Sequence, residues 1–226
     1  MPAHTLTPGV FISTYPIHAF LPDAPDRIAL SILQVATDLG RVLPLRVVCV
    51  GTDRSTGDSL GPLVGSMLAD AGFPGEVIGN LDEPVHAENL GRVVTSLGET
   101  TDSLVLGVDA CLGTKAEVGA VMVRSGPLRP GLGVKKKLPP VGDLHLAGVV
   151  NVGGFMEYMV LQNTRLSLVM RMARAISAGI QKADALLRTA CKNKRPGPVL
   201  AGEAILAVPA NAAHPSQLLQ AYVRKL

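Results

Sequence analysis

Two short runs constrain this chain more than anything else in it. Arg46-Val47-Val48-Cys49-Val50 and Leu104-Val105-Leu106-Gly107-Val108 are nearly unbroken apolar stretches, each bounded by turn-forming or polar residues. They are too short for buried helices and lack polar alternation, so they read as strands covered on both faces, the habit of parallel sheets. Around them the apolar residues change to helical spacing. Ile28, Ile32, Val35, Ala36 and Leu39 recur in this way over 26–39, ahead of Gly40 as a stop. Leu60, Leu63, Val64, Met67, Leu68 and Ala71 form one stripe over 59–71, with Pro62 tolerable only in a first turn. Val77-Ile78, Val118 to Val123 and Leu144 to Val152 read as further strands, and 87–97 as a helix. A long helical pattern over 155–187 has a break near Asn163-Thr164, with Met156, Met159, Met170 and Met172 expected as core filling. Strand alternating with helix predicts an α/β class with a largely parallel sheet.

Composition sets the limits. A chain of 226 residues with 47% apolar and 17% charged residues can organise one core, and 3% aromatic content without Trp makes that core aliphatic. The expected layout is an irregular arm over 1–22 packing in part through Phe11 and Phe20, an α/β domain over 23–190, and a loosely attached linker and tail over 191–226. That last segment opens with Lys192-Asn193-Lys194-Arg195-Pro196-Gly197-Pro198. A net charge of +3 is too small to argue for a nucleic-acid partner. Cys49, Cys111 and Cys191 are an odd number with no CxxC pair, and read as buried thiols in a reducing compartment. No apolar run reaches the ~18 residues of a membrane span, and no secretory signal opens the sequence, so no membrane partner and a cytoplasmic location are expected.

In open parallel sheets, sites form where loops leave the carboxyl ends of strands. Asp109 follows the run 104–108, and Asp58 ends the loop 51–58 ahead of the helix 59–71. If the two strands are neighbours, both carboxyls open into one crevice, where they cannot both ionise easily and can hold a water between base and acid. The same pair could bind a divalent or transition metal. Taken singly, Asp58 also suits a helix N-cap and Asp109 a turn. Asp53 lies in the same loop, too acidic for a phosphate cradle. Asp82, Glu83 and His86 enter the next helix, and His145 lies in Gly142-Asp143-Leu144-His145-Leu146. Each His could orient a carboxylate, ligate a metal or sit hydrogen-bonded in the core. Lys135-Lys136-Lys137 reads as a solvated loop, and Gln162, Asn163 and Arg165 as partners for backbone groups at a helix junction. No Ser stands in GxSxG and no His adjoins Cys111, so a Ser or Cys nucleophile has no positive signal.

Five segments, in order, carry a family resemblance. They are Gly51-Thr52-Asp53-Arg54-Ser55-Thr56-Gly57-Asp58-Ser59-Leu60-Gly61-Pro62-Leu63-Val64-Gly65, Leu81-Asp82-Glu83-Pro84-Val85-His86-Ala87, Asp109-Ala110-Cys111-Leu112-Gly113, Leu138-Pro139-Pro140-Val141-Gly142-Asp143 and Leu161-Gln162-Asn163-Thr164-Arg165-Leu166. Together they resemble the YyaC family of sporulation proteins over about 45–188. More distantly they are similar to the spore germination protease and the hydrogenase-maturation endopeptidases. The resemblance implies a single-domain, three-layer phosphorylase/HybD-like α/β fold with a mixed, mostly parallel sheet. It also implies catalytic carboxylates at Asp58 and Asp109, with His145 matching the relatives' later His and no resident cofactor. Asp53, Asp82, Glu83, His86 and His145 are taken as supporting residues, although Thr52-Asp53 departs from the pattern of the more distant relatives. The implied activity is a peptidase cutting a protein or peptide, a spore protein among the candidates, in a sporulating cell or spore. Two alternatives stay open. One is a non-catalytic protein binding a peptide, metal or partner in the same crevice. The other is metal recognition by Asp58, Asp109 and His145, as in the maturation endopeptidases, where these places bind the nickel of the substrate.

Overall fold

A computed structural model describes residues 16–98, 102–130 and 138–193. The elements run β1 (Ile17–His18), α1 (Ala24–Asp38), β2 (Leu45–Cys49), α2 (Leu60–Asp70), β3 (Val77–Ile78), α3 (Leu90–Leu97), β4 (Leu104–Gly113), β5 (Ala120–Ser125), β6 (Leu144–Val152), α4 (Glu157–Gln162) and α5 (Leu166–Asn193). Six strands form one sheet in the order β1-β5-β6-β4-β2-β3. The pairs β3/β2, β2/β4 and β4/β6 are parallel, while β6/β5 and β5/β1 are antiparallel. The sheet is thus mixed and mostly parallel, and the class is α/β.

Side-chain alternation divides the core in two. Leu45, Val47, Leu104, Leu106, Val108, Leu144 and Leu146 point to one face, where they meet α1, α2 and α5 in a large aliphatic cluster. Val48, Val105, Leu128 and Val141 point to the other face and join α3 through Leu90 and Leu97 in a much smaller one. Helices therefore lie on both sides of the sheet, three on the first and one short helix on the second.

Local chemistry sets the element ends. In α1, Pro25 occupies the first turn, where its missing N–H is not needed, and Gly40 follows the last turn in the left-handed region at φ +65°. The α4/α5 break falls where expected, and Asn163 there donates Nδ2 to the Met159 carbonyl at 2.8 Å. Asp184, a buried carboxylate on α5, accepts from the Leu45 N–H at 2.9 Å and from Arg188 at 2.5 Å, which fixes the start of β2 against the helix.

Several expectations are corrected. The helix α3 begins at Leu90 rather than near 87, because His86 and Asn89 close a turn first: Asn89 Oδ1 accepts from the His86 N–H at 2.8 Å. The long helix α5 runs on to Asn193, past the boundary placed at 190. Part of the arm is a strand: Ile17 and His18 pair with β5, and Phe20 sits under the Arg171 guanidinium, 4.0 Å from the ring centroid. Met172 fills the core as expected, but Met156 and Met159 are exposed. Phe11, Lys135-Lys136-Lys137 and the tail from 194 lie outside the described residues.

Candidate active site

The strand order turns between β2 and β4. From β2 the chain leaves through α2 on the thick face to β3 on one side, and returns through α3 on the thin face to β4 on the other. Connections that diverge in this way open a crevice at the carboxyl ends of the two central strands. Asp58 and Asp109 border it.

The position of Asp109 is a correction with a physical cause. The strand β4 does not end at Val108 but continues to Gly113. Its neighbour β2 is the one that stops: Cys49 pairs with Val108, and the Val50 N–H donates to the Val108 carbonyl at 2.8 Å. Asp109 is thus mid-strand, paired with Ala147 of β6 on one side and past the end of β2 on the other. By alternation it shares the thin face with Gly107 and Cys111, and no turn is held by it. One carboxyl oxygen, Oδ1, accepts from the Ala110 N–H at 2.8 Å.

Asp58 is not the helix cap. The residue preceding α2 is Ser59, whose hydroxyl donates to the Thr56 carbonyl at 2.7 Å. Asp58 instead closes the loop: its backbone carbonyl accepts from the Thr52 N–H at 3.1 Å. Two close approaches lock that loop. A Cβ on Gly61 would lie 2.0 Å from the Val50 carbonyl oxygen, so only glycine lets α2 sit on the end of β2. Gly57 donates its N–H to the Leu161 carbonyl at 2.9 Å, which ties the loop to α4.

Both carboxyls are half-buried, and both titrate high. Desolvation raises Asp58, offset in part by the Thr52 backbone hydrogen bond. Desolvation also pushes Asp109 well above the ordinary carboxylate range; the neighbouring Asp58 charge raises it further, and the Ala110 hydrogen bond lowers it. The Coulombic contribution means the two side chains feel one another across the crevice, although they are remote in sequence. Such a pair titrates jointly, the charge on one carboxyl holding back ionisation of the other.

The other candidates separate. Asp53, Asp82 and Glu83 are exposed on the loops after β2 and β3 at the same carboxyl edge. His86 accepts from the Glu88 N–H through Nδ1 at 3.3 Å. His145 shares the face of Asp109 but pairs with Gly107, two positions back along the sheet, and its Nδ1 lies 2.9 Å from the Gly126 carbonyl. Among the described residues no three His, Cys, Asp or Glu side chains converge as a metal-ligand set, so Asp58, Asp109 and His145 are not assembled into one.

Two features of the site have no simple mark in the sequence. Cys111 lies two residues past Asp109 on the same face, and burial followed by the Asp109 and Glu117 charges pushes its thiol up to about 11, with Arg124 pulling the other way. The second is the bracing of the α4/α5 junction. Cys111 pairs with Val149 but Leu112 pairs with Asn151, so Val150 is an extra residue in β6. This bulge turns Asn151 toward the junction, where its Nδ2 donates to Thr164 Oγ1 at 3.1 Å and to the Val160 carbonyl at 3.3 Å. The motif 161–166 is the signal that pointed there.

Among solved structures, the [NiFe] hydrogenase maturation protease HycI from Thermococcus kodakarensis KOD1 is similar at 16% identity and a TM-score of 0.46, over 68% of this chain and 98% of that one. The "Uncharacterized protein YyaC" of Bacillus subtilis (strain 168) is 50% identical over 158 residues, 69% of this chain and 76% of that protein. That relative bears out the resemblance read from the five motifs. The profile of a family described as "Protein of unknown function (DUF1256)" matches residues 30–179, and this chain belongs to that family.

Proposed function

We propose that this chain is a peptidase in which Asp58 and Asp109 activate a water, with no Ser or Cys nucleophile. One observation carries the reading: a carboxyl on the part of β4 that runs past the end of β2 and a carboxyl on the loop leaving β2 share a weakly solvated crevice, and each is raised, Asp109 with the help of the Asp58 charge. A lone structural carboxylate in a sheet is normally placed to be stabilised as an anion; this pair is placed to keep a proton.

The roles follow from the asymmetry. Asp58, raised by desolvation alone, is the ionised base, and Asp109, which the Asp58 charge raises further, is the acid. Asp58 takes a proton from water as the water oxygen bonds to the scissile carbonyl carbon, and Asp109 gives its proton to the carbonyl oxygen. The resulting diol collapses: the C–N bond breaks, the nitrogen takes the proton from Asp58, and a diol hydroxyl returns one to Asp109. Atoms and charge balance, and the pair ends as it began. The substrate is a protein or peptide, a spore protein by the family resemblance, and the setting is the cytoplasm of a sporulating cell or the spore. Among the described residues no helix is long and apolar enough to cross a membrane.

The test is incubation with small acid-soluble spore proteins, followed by mass spectrometry for discrete cuts. Asp58→Asn and Asp109→Asn are each expected to slow cutting by at least about 100-fold, with unchanged circular dichroism. A variant that cuts at the wild-type rate removes the water-activation scheme. A wild-type chain that binds these proteins and cuts none of them is a non-catalytic binder.

A further inference from the structure

We infer that the surface around α4 is a substrate subsite that receives apolar side chains flanking the cut bond; this rests on the peptidase reading. Among the described residues nine large hydrophobic side chains are exposed, and six of them fall within 152–166. Phe155 is 79% exposed and Tyr158 64%, with Met156, Met159 and Leu166 beside them. Only seven aromatic residues occur in the whole sequence, so setting two on one exposed turn is a concentration that the core does not explain.

The shoulder is held in place and joins the site. Met156, the residue before α4, lies at φ +47°, a costly conformation for a non-glycine side chain that persists only where its surroundings impose it. Asn151 and Thr164 brace the helix from beneath. The Gly57–Leu161 hydrogen bond joins it to the residue next to Asp58, and a Cβ on Gly57 would lie 2.8 Å from Leu161 Cδ2. A substrate stretched across the crevice would therefore run onto this surface.

Continuity decides between occupants. The surface adjoins the loop that carries Asp58 through the Gly57–Leu161 hydrogen bond, so its occupant is the extended chain that lies in the crevice, and a second copy is the outcome that sedimentation would reveal. The two methionines adapt to side chains of different shape, so the subsite selects for apolarity over any one residue.

The test uses the full chain carrying Asp109→Asn, so that probes are bound but not cut. Two fluorescein-labelled sets of dodecapeptides serve as probes, one with a central Leu/Ile/Phe/Met tetrad and one with Ser/Thr/Asn/Gln at the same places. The apolar set is expected to bind at least ten-fold tighter by anisotropy, and Phe155→Ser with Tyr158→Ser to erase most of that difference without moving the thermal midpoint. Equal binding of the two sets, or an unchanged preference in the double variant, overturns the inference. So does sedimentation showing a dimer that the double variant dissolves. The subsite and the peptidase reading fail separately. Apolar peptides that bind through this shoulder and are never cut by the wild-type chain leave the subsite standing without the peptidase. Cutting with no apolar preference leaves the peptidase without the subsite.

Discussion

The two faces of the sheet solve opposite problems. On the thick face, three helices bury an aliphatic layer in which Val47, Leu104, Leu106, Val108, Leu144 and Leu146 are almost or wholly without solvent. On the thin face, one eight-residue helix covers a smaller cluster, and beyond it Asp109, Cys111, His145 and Ala147 stay half-buried. The same strands supply both. Every second residue of β4 goes to the tight layer, and the residues between are free to be Gly107, Asp109 and Cys111. A carboxyl can be held at a fixed place, and kept short of water without being sealed, because the opposite face of its own strand is immobile.

The largest effect expected from breaking this contrast is on stability. Leu106→Ala, on the thick face, should cost about 2–5 kcal/mol, the range for emptying a close-packed site. Val105→Ala, its neighbour on the thin face, should cost less, since two methyl groups at ~0.8 kcal/mol each amount to about 1.6 kcal/mol. For a chain of this size 1 kcal/mol moves the midpoint of thermal unfolding by roughly 2–4 °C, so calorimetry separates the two variants. Equal losses would mean that the thin face is as tightly built as the other.

A second effect has the opposite sign. Because Asp109 is raised by burial and by Asp58, its folded form holds a proton that the unfolded chain releases above a pKa of about 3.9. Below that value both states are protonated and folding bears no penalty. As pH rises toward the folded pKa, the unfolded state binds fewer protons and stability falls. An asparagine in this place is a neutral stand-in for the protonated carboxyl. Asp109→Asn should therefore match the wild type in stability below about pH 4 and exceed it at neutral pH. Thermal scans at pH 3.5 and 7.5 check this. A variant less stable at both values would make Asp109 a structural anion, and the raised pair would lose its meaning.

The same contrast decides what could be read in advance. The thick face was legible: the stripes over 26–39 and 59–71 and the run 46–50 follow from apolar spacing, because packing selects for volume at fixed intervals, and the break at 163–164 follows from two residues that can start a helix. On the thin face that selection is weak. Asp109-Ala110-Cys111-Leu112 alternates, as a half-covered strand does, so a search for unbroken apolar runs stops at Val108 and puts Asp109 in a turn. Whether Asp109 lies beside β2 or past its end depends on pairing Cys49 with Val108, a long-range register that nothing within 104–113 encodes. Asp58 before a helix looks like a cap until Ser59 is seen in that place. The outward turn of Met156 and Met159 is equally silent, since a helical stripe does not say whether its partner is core or ligand.

The smallest effect expected is at Cys111, and it bears on which thin-face side chain does chemistry. Cys111 is two residues from Asp109 on the same face, so proximity alone would let it serve as a nucleophile. Its thiol is pushed up to about 11, by burial first, then by Asp109 and Glu117. At neutral pH roughly one thiol in ten thousand is then a thiolate, the form that attacks. Burial is the main thing that disarms this thiol, and the Asp109 and Glu117 charges add to it. Cys111→Ala should accordingly leave the cutting rate within about two-fold of wild type, against the ~100-fold loss expected for Asp58→Asn, and iodoacetamide at pH 7 should leave Cys111 unmodified by mass spectrometry. A large loss in Cys111→Ala with the fold intact would transfer the chemistry from the carboxyl pair to the sulfur.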